Sequence, residues 1–126
     1  MQERRKYLRF NTTGSVVLKT GDAAPATIKV ELFNISFEGF SVYASEKIEV
    51  GTDVRFELNI NLWYEPISGE GKIKYIQETK KLDQFFRIGV EFVKVDRKVI
   101  QHIISLIQAE ICAKARRKEQ FKRKAF

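Results

Sequence analysis

"DVRFELNI", residues 53–60, alternates without a break: Val54, Phe56, Leu58 and Ile60 fall on one side, Arg55, Glu57 and Asn59 on the other. A period of two marks a strand with one face in a core and one in water. Residues 85–93 repeat the pattern with Phe86, Ile88, Val90 and Phe92. Upstream, 15–19 is short and β-branched, and 27–32 sets Ile28, Val30 and Leu32 against Thr27, Lys29 and Glu31. Segments 39–43 and 68–77 complete a set of six strands joined by polar turns. The pattern predicts a mainly β fold, a six-stranded antiparallel β-barrel, closed or nearly so. In 68–77, Gly69 and Gly71 share a face with Ile73 and Tyr75, which predicts a sharply bent strand or a close backbone approach.

The period lengthens after Val95. Asp96 is a good N-cap, and Val99, Ile100, Ile103, Ile104, Ile107 and Ile111 follow at helical spacing, predicting a C-terminal α-helix packed on the barrel. Beyond Ala113 the apolar stripe stops, and a basic run either extends the helix into solvent or frays. With no internal repeat and no Pro/Gly linker, the chain divides into an N-terminal arm (1–12), a barrel (13–95) and a helix with a basic tail (96–126).

A chain of 126 residues buries roughly two thirds of its unfolded surface without a metal or disulfide. Its one cysteine, Cys112, has no internal partner and reads as a small buried helical residue. No stretch approaches the roughly 18 apolar residues of a membrane span, and the start is charged rather than signal-like. These features predict a soluble, cytoplasmic protein.

The net charge of +7 is concentrated at the ends. Residues 114–126 hold seven basic side chains and one acid, +6, and residues 3–9 hold four and one, +3, so the body between carries −2. That distribution argues against a uniformly basic nucleic-acid-coating domain.

One irregularity bears on function. If Ile28, Val30 and Leu32 face inward, strict alternation buries Asn34 and Ser36 and sends Phe33, Ile35 and Phe37 to solvent. Buried amide and hydroxyl groups need partners, and three exposed large apolar side chains make a patch. The pattern therefore slips near Leu32 or Phe33, through a bulge or a strand crossing the barrel rim. The slip presents Asn34 and Ser36 outward together, with Gly39 allowing a tight turn or close approach by a ligand.

Two motifs now stand together: "RKYLR" (5–9) is an RxxxR and "NISFEG" (34–39) is an NxSxxG, with "RIGVEF" (87–92) closing the barrel ahead of the helix. This combination resembles the PilZ domain, the bacterial receptor module for cyclic di-GMP, over essentially the whole chain. The resemblance implies a ligand site made of Arg5, Arg9, Asn34, Ser36 and Gly39, and the reading that follows is a noncatalytic receptor whose N-terminal arm becomes ordered across the barrel when ligand binds, giving a new surface to a protein partner. It further implies that Arg4, immediately before the RxxxR, goes with binding the ligand as an intercalated pair.

Elementary chemistry agrees. Cyclic di-GMP carries two phosphates and two guanines, and the arginine fork pairs bidentately with phosphate oxygens or with guanine O6/N7 and stacks on bases. Arg5 and Arg9 stand about 13 Å apart in extended chain or roughly 5–6 Å apart on one helical turn. Asn34 offers a carbonyl and an amide, and Ser36 a hydroxyl. A stacked ligand pair concentrates four phosphate charges, and Arg4 supplies one more cation against their repulsion.

Each feature has a plainer reading. Arg5 and Arg9 alone are also what a solvated terminus looks like, and Asn34, Ser36 and Gly39 also fit a turn with an Asx-type hydrogen bond. Trp63 and Tyr64 read first as aromatic packing rather than as ligand flanks. His102 has no second histidine or carboxylate at metal-ligand spacing, and neither a phosphate-cradling GxxxxGK nor a nucleophile elbow occurs, so neither a cofactor nor enzyme chemistry is expected. The basic tail suits the negative end of the helix dipole. Its rival reading is a ligand-independent interaction domain whose tail binds nucleic acid, an anionic membrane or an acidic protein.

Overall fold

The computed structural model describes residues 8–21, 26–79 and 86–124. Seven strands and one helix follow in order: β1 (Phe10–Asn11), β2 (Gly14–Thr20), β3 (Ala26–Ile35), β4 (Gly39–Ala44), β5 (Asp53–Ile60), β6 (Ile67–Glu78), β7 (Phe86–Lys94) and α1 (Arg97–Lys124). All pairings are antiparallel in the order β1-β3-β2-β5-β6-β7-β4, and a β3–β4 ladder closes the six longer strands into a barrel. The predicted barrel and helix are both present. The addition is β1, a two-residue strand that pairs Phe10 with Ile35 and Asn11 with Asn34, on the edge of β3 where β2 has ended. The start of the seventh strand, expected at residue 85, lies outside the described residues.

The alternation in β5 is realised as read: Val54, Phe56, Leu58 and Ile60 are buried in the barrel with Val16, Leu18, Ile88 and Val90. Phe40, Phe56 and Phe92 meet at its centre, with ring centroids 5.1–5.7 Å apart in tilted and edge-on pairs that suit the ring quadrupoles. In β6, Gly69 and Gly71 make the predicted close approach. A side chain at Gly69 would meet Phe56 and the Lys94 carbonyl, and one at Gly71 would meet Val90 and the Glu91 carbonyl.

The Asp96 carboxylate accepts from the backbone N–H groups of Lys98 at 3.1 Å and Val99 at 3.3 Å, fixing the start of α1 as the sequence implied. Ile100, Ile103 and Ile107 are buried and Val99 and Ile104 partly so, which places the helix against the barrel. Two expectations fail here. Ile111 is 52% exposed, because the barrel ends before that turn of the helix, and Cys112 is exposed for the same reason. The helix runs on to Lys124, so the basic run extends it. Arg97 donates a 2.7 Å hydrogen bond to the Phe37 carbonyl, and its guanidinium lies 5.5 Å from the Phe37 ring centroid. The first turn of α1 is thereby tied to the β3–β4 turn. No described helix is long and apolar enough to cross a membrane.

Candidate functional site

Two bulges build the site. On β3 the register slips between Leu32 and Asn34: Leu32 opposes Val42, Asn34 opposes Ser41, and Phe33 is the extra residue. Leu32 and Ile35 are buried in the core, so Phe33 and Asn34 both turn to the outer face of the barrel, and Ser36 follows them there. The slip lies where the sequence placed it. The exposure differs: Asn34 is 4% and Ser36 2% exposed, with β1 paired alongside Asn34 and the 36–38 turn closing on Ser36.

The second bulge is on β6, between Ile73 and Tyr75. Ile73 opposes Val90 and points into the core, whereas Tyr75 opposes Gly89 and points out. This overturns the shared face expected for Ile73 and Tyr75. Gly89 makes room, since a Cβ there would overlap the Tyr75 ring.

Across the outer face, Asn34, Ser41, Gly89 and Tyr75 stand in one row of β3, β4, β7 and β6. The Tyr75 hydroxyl lies 2.7 Å from the Ser41 hydroxyl and accepts a 3.0 Å hydrogen bond from Arg9 Nη1. The Arg9 guanidinium is 5.4 Å from the Tyr75 ring centroid, within cation–π range. Burial alone would raise the Tyr75 pKa. The hydrogen bond with Ser41, the charges of Arg9 and Arg87 and the Arg9 hydrogen bond outweigh it, and the phenol ionises below its ordinary 10.0. Lys74, the extra residue of the second bulge, lines the same cleft as Arg9, Ser36, Gly39, Ser41 and Tyr75, and forms a 3.1 Å ion pair with Glu91.

Beyond Asn34, the chain turns at residues 36–38. The Ser36 hydroxyl accepts from Glu38 N–H at 3.2 Å and lies 3.4 Å from the Gly39 carbonyl, while Ser36 N–H donates to that carbonyl at 2.8 Å. Ser36 thus has the work of a turn residue. Gly39 is buried, and a Cβ there would collide with the Val90 carbonyl, so the close approach it allows is to β7. Asn34 is different: its Oδ1 is buried with no hydrogen-bond partner among the described residues. An orphaned buried acceptor costs roughly 1–3 kcal/mol, and here it lies next to Ser41, which lines the cleft, where a donor from elsewhere would relieve it.

Of the sequence-predicted residues, the structure gathers Arg9, Asn34, Ser36 and Gly39 on one face. Arg4 and Arg5 lie outside the described residues. Sequence reasoning missed Ser41, Tyr75 and Arg87. Ser41 and Arg87 alternate to the outer faces of β4 and β7, which is the signal that was present for them, but Tyr75 is turned outward only by its bulge. Trp63 packs as expected, 4.9 Å from Tyr64 and 5.2 Å edge-on from His102, though Tyr64 is 80% exposed. Among the described residues, no three of His, Cys, Asp and Glu form a metal-binding group.

Comparison with known proteins gives the fold its relatives. The family model described as PilZ domain matches residues 3–109. No curated protein matches the sequence. Among solved structures, the PilZ domain with c-di-GMP of YcgR from Escherichia coli is 21% identical, with a TM-score of 0.72 over 90% of this chain and 98% of that one. Bacillus subtilis inhibitor of motility MotI/DgrA is 17% identical, with a TM-score of 0.71 over 90% of this chain and 54% of that one. The K. pneumonia MrkH–c-di-GMP complex is 14% identical, with a TM-score of 0.70 over 93% of this chain and 57% of that one. The chain therefore spans about half the length of MotI and MrkH.

Proposed function

Because the chain belongs to the PilZ domain family, we propose that it is a noncatalytic, cytoplasmic receptor for cyclic di-GMP, binding it on the outer face described above. The carrying observation is the buried Asn34 Oδ1, without a partner among the described residues, beside the Arg9–Tyr75–Ser41 network. An acceptor on the strand beside a cleft that holds arginine suits guanine, whose N1–H and amino group are donors, joined to a phosphate that takes the arginine. Solved relatives in complex with c-di-GMP support the choice of ligand.

Arg5 and Arg9 embrace the ligand from the arm (1–12), Asn34 reads a guanine, and Ser36 and Gly39 shape the turn beside it. Arg4 brings the extra cation for an intercalated pair. The barrel (13–95) is the platform, the helix and tail (96–126) are carried on it, and the rearranged arm is the surface offered to a protein partner. Arg97, bonded to the Phe37 carbonyl, connects the turn of the site to α1 and gives the helix a share in that response.

The test is calorimetric titration of the whole protein with cyclic di-GMP, beside the Arg5→Ala and Arg9→Ala variants. Saturable binding that both substitutions weaken is expected. Absence of binding in the wild type, or equal affinity in both variants, would sink the reading. DNA or lipid binding without ligand, abolished by deleting 114–126, would instead favour the ligand-independent interaction domain.

A further inference from the structure

Two residues along the strands from the Asn34–Ser41–Gly89–Tyr75 row, about 7 Å away, lies a second row on the same face. Here Tyr43 opposes Arg87, and Arg87 opposes Gln77. Phe33, delivered outward by the β3 bulge, joins it: its ring centroid is 5.0 Å from that of Tyr43, and the Arg87 guanidinium lies 4.4 Å from the Phe33 centroid. Arg87 Nε is buried and has no hydrogen-bond partner among the described residues. A guanidinium settled on an aromatic ring, with its buried Nε–H unmatched among the described residues, is a donor group held in place with hydrogen-bonding capacity in reserve. The cost of such an unpaired charged donor is high enough that a ligand able to fill it is rewarded.

We propose that Arg87 is a specificity-determining residue, reading the O6/N7 edge of one guanine of cyclic di-GMP from its seat on Phe33. This rests on the receptor reading above. Two chemistries present paired acceptors to an arginine fork, phosphate and the guanine O6/N7 edge. The surroundings favour the base. Phosphate charge has Arg9 and Lys74 lining the neighbouring cleft, whereas Arg87 sits among aromatic rings, and a base coplanar with the guanidinium extends the stack that Phe33 begins. Adenine, which offers a donor amino group in place of O6, leaves the fork half unmatched. Arg87 and Asn34 would then divide the recognition: a donor fork for one edge of guanine and an acceptor for the other.

The experiment is a double cycle: wild type and Arg87→Ala, each titrated with cyclic di-GMP and with the analogue in which guanine N7 is replaced by C–H. For the wild type, the analogue is expected to bind about 5- to 100-fold more weakly. In Arg87→Ala that penalty should fall to within about 2-fold, with cyclic di-GMP itself weakened by a similar factor. Arg87→Lys, which keeps the charge and loses the fork, should behave like the alanine variant, and it serves as the test if Arg87→Ala fails to fold. A penalty of the same size in wild type and variants overturns the assignment, even if Arg87 contributes affinity through phosphate. In that case Arg9→Ala still weakens binding, and the receptor reading stands. A wild type that does not bind cyclic di-GMP removes both.

Discussion

Arg9 is held in position: its Nη1–H is donated to the Tyr75 hydroxyl, which lies against the Ser41 hydroxyl in turn. Arg9→Ala should weaken cyclic di-GMP binding about 10-fold to more than 100-fold, since charge-assisted bonds contribute roughly 1.5–3 kcal/mol, while circular dichroism barely changes. Tyr75→Phe keeps the ring and loses the aim, and a 2- to 10-fold weakening is expected, the worth of about one ordinary hydrogen bond. Tyr75 also has a direct optical signature. Its folded pKa lies below 10.0, so the ionised phenol favours the native state: that contribution is full above the unfolded tyrosine value and is lost as pH falls through the folded one, leaving none at neutral pH. An alkaline ultraviolet titration should contain an early tyrosinate component that disappears in Tyr75→Phe and moves upward in Arg9→Ala. Ser36→Ala should cost about 1 kcal/mol of stability through its turn hydrogen bonds, and Asn34→Ala should cost affinity with little change in melting temperature.

At the scale of elements, the two bulges decide which side chains share a face. Gly89→Ala would drive a methyl group into the Tyr75 ring, and a loss of about 1–3 kcal/mol in thermal unfolding is expected, together with weaker ligand binding as Tyr75 tips away from Arg9. Which parts of the site were legible follows the same line. The β3 bulge was visible because alternation past Leu32 would have exposed Phe33, Ile35 and Phe37 together. The β6 bulge was invisible: Ile73, Tyr75 and the glycines before them make a plausible alternating face, and only pairing with β7 shows Lys74 to be the extra residue. Register is a property of two strands, and one strand read alone cannot reveal it. Ile111 and Cys112 were misjudged for a related reason, since helical periodicity gives a face but not where the partner surface ends.

For the whole molecule, stability and binding separate along the chain. The buried residues of α1 among those described end at Ile107, so removing 114–126 should leave the melting temperature close to that of the full chain and leave cyclic di-GMP binding intact. Ile103→Ala, by contrast, should cost about 2–5 kcal/mol. The proposed role of Arg4 concerns stoichiometry: two ligands per chain are expected at saturation, falling toward one in Arg4→Leu with a flatter salt dependence, and calorimetry at two salt concentrations measures both.

The two-residue pairing of Phe10 and Asn11 with Ile35 and Asn34 does more than add a strand: it turns the arm into a tether. Covalent geometry confines the Arg5 α-carbon to within about 14 Å of the Arg9 α-carbon, whatever the concentration of protein in solution. In the proposed receptor the second arginine would therefore be supplied to the ligand at an effective concentration on the order of millimolar or higher. A barrel shortened to begin at Phe10 should accept the missing arginines from a separate peptide of residues 1–9 only at such concentrations, and breaking the Phe10–Ile35 pairing should reduce ligand affinity while leaving every ligand-contacting side chain in the chain.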